Sequence, residues 1–438
     1  MFVARRLAVA ILALAWAALP AAAAPGDLDS TFGMGGIQRT NFGGTYDWAY
    51  AVAIQPDGKI VAAGVSNAGK TYDFALARYT ADRTLDATFG KGGTVTTDFG
   101  GSYDWAYALA LQPDGKLVVA GVSDRSGSKD FALARYLPNG ALDGGFGDGG
   151  LVTGSLRLLT VDAIRGVAVQ PDGRIVAAGV TFEDEVSLRP NGDFMITRYT
   201  TTGQPDPTFG IGGAVTTDFE GSTYDELYAL ALQPDGRILA AGVTDSGGGP
   251  GVLFGADDLA LARYTSEGLL DAEFGQGGKA VVDLGSLDEE IRALALAPDG
   301  KIVVAGYREG ERQGDLMIGR FDRRGVPDAE FGEEGFVVTD SGSRSRLERL
   351  SAVAIDRGGM IVAGGQVAKG NGAADFAVVR HGPGGELDRT FGRDGLVTVD
   401  LGGREDRIHA LVVQPDGKVV AAGASENDFV LARFNRDS

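Results

Sequence analysis

Short runs in which apolar or small residues alternate with polar ones recur along this chain, and they come in ordered sets. In the first set Ala49–Gln55 alternates, Pro56-Asp57-Gly58 interrupts it, Lys59–Val65 is almost continuously apolar, Asp73–Tyr79 follows, and Thr94–Asp98 ends the set. A period of two over such lengths predicts strands, here named A to D. The interruption predicts a tight A–B turn, because proline presets φ at one corner and glycine supplies the position that needs φ above zero. Runs such as Val118–Gly121 and Ile238–Gly242 mix Ala and Gly with branched residues. They read as strands covered on both faces, with small residues letting neighbouring sheets approach.

The set is repeated seven times. Its marker is the phenylalanine of an FG loop between strands C and D, at Phe32, Phe89, Phe146, Phe209, Phe274, Phe331 and Phe391. A repeat of this size with four short strands predicts a β-propeller. The chain opens on Leu28-Asp29 and Phe32-Gly33, which lead into a D-type strand at Ile37–Asn41 before any A strand, and it stops just past the C strand ending at Phe434. The first strand is therefore expected to complete the last blade, which removes the two open edges of a linear array. The expected fold is all-β, a single seven-bladed β-propeller of four-stranded antiparallel blades over residues 26–438, its ring closed by an N-terminal outer strand.

Three blocks in fixed order carry a family resemblance: L-D-x-T-F-G-x-G-G at Leu85–Gly93, A-L-A-L-Q-P-D-G-K-L-V-V-A-G at Ala108–Gly121, and D-F-A-L-A-R-Y at Asp130–Tyr136. The pattern resembles the delta-60 repeat, a bacterial β-propeller repeat of unassigned activity, and the likeness extends over essentially all of the chain after residue 24. It implies a propeller and little about chemistry. The sixth unit departs from the pattern, with Phe331-Gly-Glu-Glu-Gly335 in the loop and Asp356-Arg-Gly-Gly359 in the turn.

Arg5-Arg6, the apolar stretch Leu7–Leu19 and the run Ala21–Ala24 read as a secretory signal peptide over residues 1–24. A twin-arginine signal is the weaker reading. The protein is expected to be exported, periplasmic or extracellular, without membrane insertion, and monomeric. Zero cysteines exclude disulfide staples and thiolate metal sites. A net charge of −19 disfavours nucleic acid and anionic membranes as partners.

In a four-stranded blade the A–B turn and C–D loop lie on one face of the disc, and the B–C loop and D–A crossover on the other. The first face is monotonous. Every C strand ends there in an arginine (Arg78, Arg135, Arg198, Arg263, Arg320, Arg380, Arg433), and every C–D loop carries an aspartate (Asp29, Asp86, Asp143, Asp206, Asp271, Asp328, Asp388). An Arg–Asp clamp is expected, with either the following or the preceding aspartate as partner. The second face varies, with long B–C connections at Phe182–Gly192 and Asp245–Asp257. Function concentrates on variable loops held by a rigid scaffold.

Each A strand is preceded by a carboxylate: Asp47, Asp104, Asp162, Asp225, Glu289, Glu348 and Asp406. Because A strands line a propeller's channel, these are expected to ring its mouth, either capping backbone N–H groups or holding a cation such as Ca²⁺. A second set, Asp73, Asp130, Asp193, Asp258, Asp315, Asp375 and Asp428, starts the C strands on the same face. Three residues after each ring carboxylate the side chain differs by blade: Tyr50, Tyr107, Arg165, Tyr228, Arg292, Ser351 and His409. Trp48 and Trp105 share one repeat position. Aromatic and arginine side chains on one rim suit an extracytoplasmic glycan, peptide or protein, although Tyr and Trp can also simply cap blade edges.

With His381 and His409 as the only histidines, a Ser-His-Asp triad or His-rich metal site has almost no material. No phosphate-loop pattern occurs. The expected function is non-catalytic binding or adhesion through the variable face. A scaffold of the cell envelope is the first alternative, and a hydrolase or lyase using carboxylate chemistry the second.

Overall fold

The computed structural model describes residues 24–436 apart from 82–83, 126, 157–159, 183–190, 220–223, 246–256, 286–287, 310–313, 342–347 and 370–371. The expected leader, save Ala24, and most of the two long B–C connections lie outside the described residues. Among the described residues there are 28 strands and no helix, numbered β1 to β28 in chain order. Blade 1 is β2 (Asp47–Ile54), β3 (Ile60–Ser66), β4 (Asp73–Tyr79) and β5 (Thr94–Thr97), in that spatial order. The pattern repeats through blade 7, where β26 (Asp406–Val413), β27 (Val419–Ser425) and β28 (Asp428–Phe434) are completed by β1 (Ile37–Thr40). β1 runs antiparallel to β28, from Ile37 opposite Ala432 to Thr40 opposite Phe429. The ring is thus closed by the N-terminal outer strand.

Consecutive A strands touch one another all the way round, including β2 with β26, and so form the inner wall. Each apolar cluster joins two blades. Phe89 of the first C–D loop packs with Leu76 of blade 1 and with Leu117, Val119 and Tyr136 of blade 2. Phe32, Ile60, Tyr79, Val420 and Phe429 do the same where blade 7 meets blade 1. All seven FG-loop phenylalanines are fully buried. A blade cannot bury both faces alone, so the interblade cores make the ring one cooperative unit.

The arginine that ends each C strand takes the aspartate of the loop that follows it. Arg78, Arg135, Arg198, Arg263, Arg320 and Arg380 hold Asp86, Asp143, Asp206, Asp271, Asp328 and Asp388 at 2.7–2.9 Å. Arg433 holds Asp29 from the other end of the chain at 2.8 Å. Each guanidinium also lies 4.5–4.9 Å from the centroid of its loop phenylalanine. In six blades a further N–H reaches a backbone carbonyl one blade on, as from Arg135 to Thr201 at 2.5 Å and from Arg380 to Arg436 at 2.8 Å. Only a planar fork with several donors can serve carboxylate, ring and carbonyl at once. In six blades the residue after the PDG-type turn adds a second cation to the same aspartate, as Lys418 does to Asp29 at 2.7 Å. The degenerate sixth turn has Met360 there instead.

Candidate functional site

Every A strand carries one β-bulge at the same place. In β2 the register skips between Ala49 and Ala51, which leaves Tyr50 as the extra residue. The equivalent extra residues are Tyr107, Arg165, Tyr228, Arg292, Ser351 and His409. These are the residues that the sequence marks as variable. A bulge re-aims one side chain without ending the strand, so seven side chains turn inward at one level of the channel. The cause lies in the facing B strand. A Cβ placed on Gly64, Gly121, Gly179, Gly242, Gly306, Gly365 or Gly423 would come within 1.7–2.0 Å of the carbonyl oxygen that the bulge pushes across. These glycines therefore serve the bulge inside each blade, not the approach of neighbouring blades that their run suggests in sequence.

The inward side chains line a cavity of about 450 Å³ together with Trp48, Glu226, Arg349, Gln366 and Arg407. It has two unlike walls. Tyr50 stands 5.2 Å from Tyr107 and 4.6 Å from His409 between ring centroids, with Trp48 beside them. Above, Tyr46 stacks on Trp48 at 4.6 Å and Tyr103 on Trp105 at 4.9 Å, with Tyr72 edge-on to Tyr46. Trp105 packs behind Tyr50 and does not line the cavity. The opposite wall is charged. Arg165 reaches Glu226 at 3.1 Å and lies 4.4 Å over the Tyr107 ring, while Arg292 lies 4.1 Å over Tyr228 and pairs with Glu290.

Glu226, Glu290, Arg349 and Arg407 occupy the repeat position of Trp48 and Trp105, one residue after each carboxylate. Sequence reading singled out only the tryptophans there. The signal was available: four blades place a charge where two place an indole.

Burial would raise Glu226, yet Arg165 and the hydroxyls of Tyr224 and Tyr228 hold it below the usual range, so it is a fixed anion. Burial, followed by the cations Arg407, Arg292 and Arg349, depresses His409 to about 3 and leaves a neutral imidazole. Burial pushes the Tyr50 hydroxyl far up, which keeps it a neutral donor. Arg349 makes no ion pair among the described residues, and its Nε is buried without a hydrogen-bond partner. Among the described residues Glu226 is the one carboxylate that lines the cavity, beside four arginines and the phenolic rings.

The seven carboxylates expected to ring the mouth do not do so. All are 0–2% exposed. Asp47, Asp104, Asp162, Asp225 and Asp406 turn back to accept the backbone N–H of Phe42, Phe99, Leu156, Phe219 and Leu401 in the D–A crossover. Glu348 accepts the Ser341 hydroxyl. Alternation along the A strand sends the carboxylate away from the channel when the next residue faces it.

A family model described as a domain of unknown function (DUF5122) beta-propeller matches residues 55–89, 112–146, 170–209, 233–274, 297–331, 359–391 and 414–438, together more than half of the chain. No curated protein matches. Among solved structures, the WD40 propeller domain of Doa1 is 11% identical with a TM-score of 0.47, covering 92% of this chain and 98% of that one. Sqt1 from Chaetomium thermophilum is 13% identical with a TM-score of 0.48, covering 88% and 82%. Drosophila Plexin A, solved in complex with Semaphorin 1b, is 11% identical with a TM-score of 0.45, covering 94% and 87%. Likenesses this distant say nothing about the site.

Proposed function

The chain belongs to the DUF5122 beta-propeller family, and on that premise we propose that it is a non-catalytic, exported, monomeric binding propeller. Its cavity takes an anionic group of an extracytoplasmic ligand, and an acidic glycan is the ligand class favoured. The observation that carries this reading is the cavity's two-walled chemistry. Arg165, Arg292, Arg349 and Arg407 outnumber the two carboxylates, Glu226 and Glu290, inside a protein of net charge −19. A positive pocket in a negative body is a local choice that solubility does not require. The aromatic wall beside it offers ring faces to a sugar, and the arginines suit its carboxylate or sulfate.

The test is a titration with neutral and acidic oligosaccharides, with acidic peptides in parallel, read by the fluorescence of Trp48 and Trp105. Acidic glycans should bind, and Arg349→Ala should lower the affinity at least about tenfold. Binding of peptides alone would reassign the ligand class. An affinity indifferent to both Arg349→Ala and Trp48→Ala would remove the cavity from the reading, and no ligand at all would leave the propeller a scaffold.

A further inference from the structure

Most of the large apolar side chains that stand exposed among the described residues belong to blades 4 and 5: Leu269, Leu270, Val281, Val326 and Val338. Two repeat positions account for this. The third residue of the outer strand is exposed in every blade; it is threonine in blades 1, 2, 3 and 6, as at Thr398, and Arg39 in blade 7, but Val281 and Val338 in blades 4 and 5, 46% and 41% exposed. In the turn after the C strand, the residue before the bridging Leu or Pro is small or polar elsewhere, as at Thr84 and Glu386, and is Leu269 or Val326 here. Polar and charged side chains are what keep an open sheet edge from pairing with another chain. Blades 4 and 5 lack that guard at both positions.

The outer strand of blade 5, β21 (Phe336–Thr339), pairs with β20 (Gly314–Phe321) and ends its sheet. A cavity of about 890 Å³ wraps round its open edge. Phe336 packs into the core shared with blade 4 and Val337 into the core shared with blade 6, so the two faces of β21 look into different seams, with Val338 on the face of Phe336. On the blade 4 side the cavity is walled by Val282 and Leu284, at and just beyond the end of β17 (Lys279–Val282), and on the blade 6 side by Gly384, Gly385 and Glu386. Successive side chains of an added strand would point alternately into these two seams. Charge then selects the strand. Asp283, Glu330, Glu333, Glu334 and Glu386, all exposed, line the cavity against a single arginine, Arg308, which is turned to the Leu284 carbonyl at 3.1 Å. Blade 4 has the valine without the acids, since the cavity at β17 is lined by Lys279 and Gln276.

We propose that β21 accepts an added strand, an extended segment of a partner protein in which basic and apolar side chains alternate. Its backbone pairs along the open edge, its apolar side chains lie against Val282, Leu284 and Val338, and its basic ones reach the carboxylates of the rim. Backbone pairing gives such a contact its affinity, and the flanking pockets give it its choice of sequence. The surface is on the outer rim of the disc and stands independently of the ligand proposed for the channel.

The experiment uses the full chain and a short synthetic peptide of alternating lysine and valine, read by calorimetry at physiological salt, with a glutamate–valine peptide and a lysine–valine peptide N-methylated at alternate residues as controls. The first should bind saturably and the other two should not. Val338→Lys places a cation where blade 7 has Arg39 and should fold normally; it should lower the affinity at least about tenfold. Val338→Thr, which keeps the charge and restores the residue of most other blades, should lower it about threefold. Thr398→Lys, the same change of charge on blade 6, should leave it unaltered. Absence of binding by the lysine–valine peptide overturns the proposal, as does an affinity that Val338→Lys leaves unchanged. Equal loss in Thr398→Lys would mark mere attraction to an acidic body, and equal binding of the N-methylated peptide would exclude strand addition; either overturns it. Dimers that Val338→Lys turns into monomers would make a second copy of this chain the occupant in place of a basic partner.

Discussion

The two faces of the disc carry the same seven-fold backbone and opposite kinds of chemistry. On the C–D face each blade repeats one device: an arginine on its own loop aspartate, over its own phenylalanine, and in six blades bonded to the next blade. At the A-strand bulges, on the other side, seven equivalent positions hold four different residue types, split between an aromatic and a charged wall. The difference shows where repetition is constrained. The clamp serves a carboxylate, a ring and in six blades a neighbouring carbonyl at once and seals an interblade core, so a change at the arginine strands several groups together. The bulge side chains face the channel and one another and take no part in the interblade clamp, so each blade is free to differ.

Arg135→Ala tests the first half most severely. It would leave Asp143 only the Lys116 ammonium at 3.4 Å and strip the Thr201 carbonyl and the Phe146 ring of their partner, and the expected loss is roughly 3 kcal/mol in chemical denaturation. Arg135→Lys should recover only part of it, because an ammonium cannot form the fork or stack on Phe146. A loss below about 1 kcal/mol for Arg135→Ala would demote the clamp to an ordinary surface pair.

Gly121→Ala joins the two halves. Its Cβ would lie 1.8 Å from the Trp105 carbonyl oxygen, so the bulge must shift. The expected cost is at least about 2–3 kcal/mol, together with a changed Tyr107 environment and weaker ligand binding. Normal stability with intact binding would show that the glycine does not set the bulge.

The sixth blade sharpens the comparison from within the repeat. His381 stands where other C strands end in tyrosine or phenylalanine; burial depresses it to about 4, and neither ring nitrogen has a partner. A folded value below the unfolded 6.5 means that the unfolded chain takes up protons first, so stability present above pH 6.5 is lost as pH falls toward 4, by an amount on the order of 3 kcal/mol. In His381→Tyr the hydroxyl would face Thr339, as Tyr136 donates to Thr97 at 2.8 Å. The variant should gain about 1 kcal/mol at neutral pH and lose much less on acidification. An acid limb unchanged by the substitution would show that other groups set it.

Arg349→Ala should have the smallest effect on stability, within about 0.5 kcal/mol, while lowering ligand affinity. A large loss of stability there would mean that the channel wall, like the clamp, is part of the framework.

Strands, turns, blade number and ring closure were legible in the sequence because each depends on local alternation, turn chemistry and a repeat count. Asp73–Tyr79 was read to the residue, and Ile37–Thr40 within one. So were most of the channel residues, since Tyr50 and its six equivalents hold one register within a repeating strand. Asp47 and its equivalents were misplaced although alternation with the channel-facing Trp48 points them away, and the N–H groups that hold them belong to the D–A crossover, whose path only the tertiary structure gives. The choice of Asp143 over Asp86 for Arg135 needed the path of the C–D loop. The cavity around β21 needed the packing of blade 5 between blades 4 and 6. Periodicity along one chain determines what a single blade presents, but only the packing of blade on blade decides which charges meet, because those contacts join strands that the repeat makes alike and only their placement distinguishes.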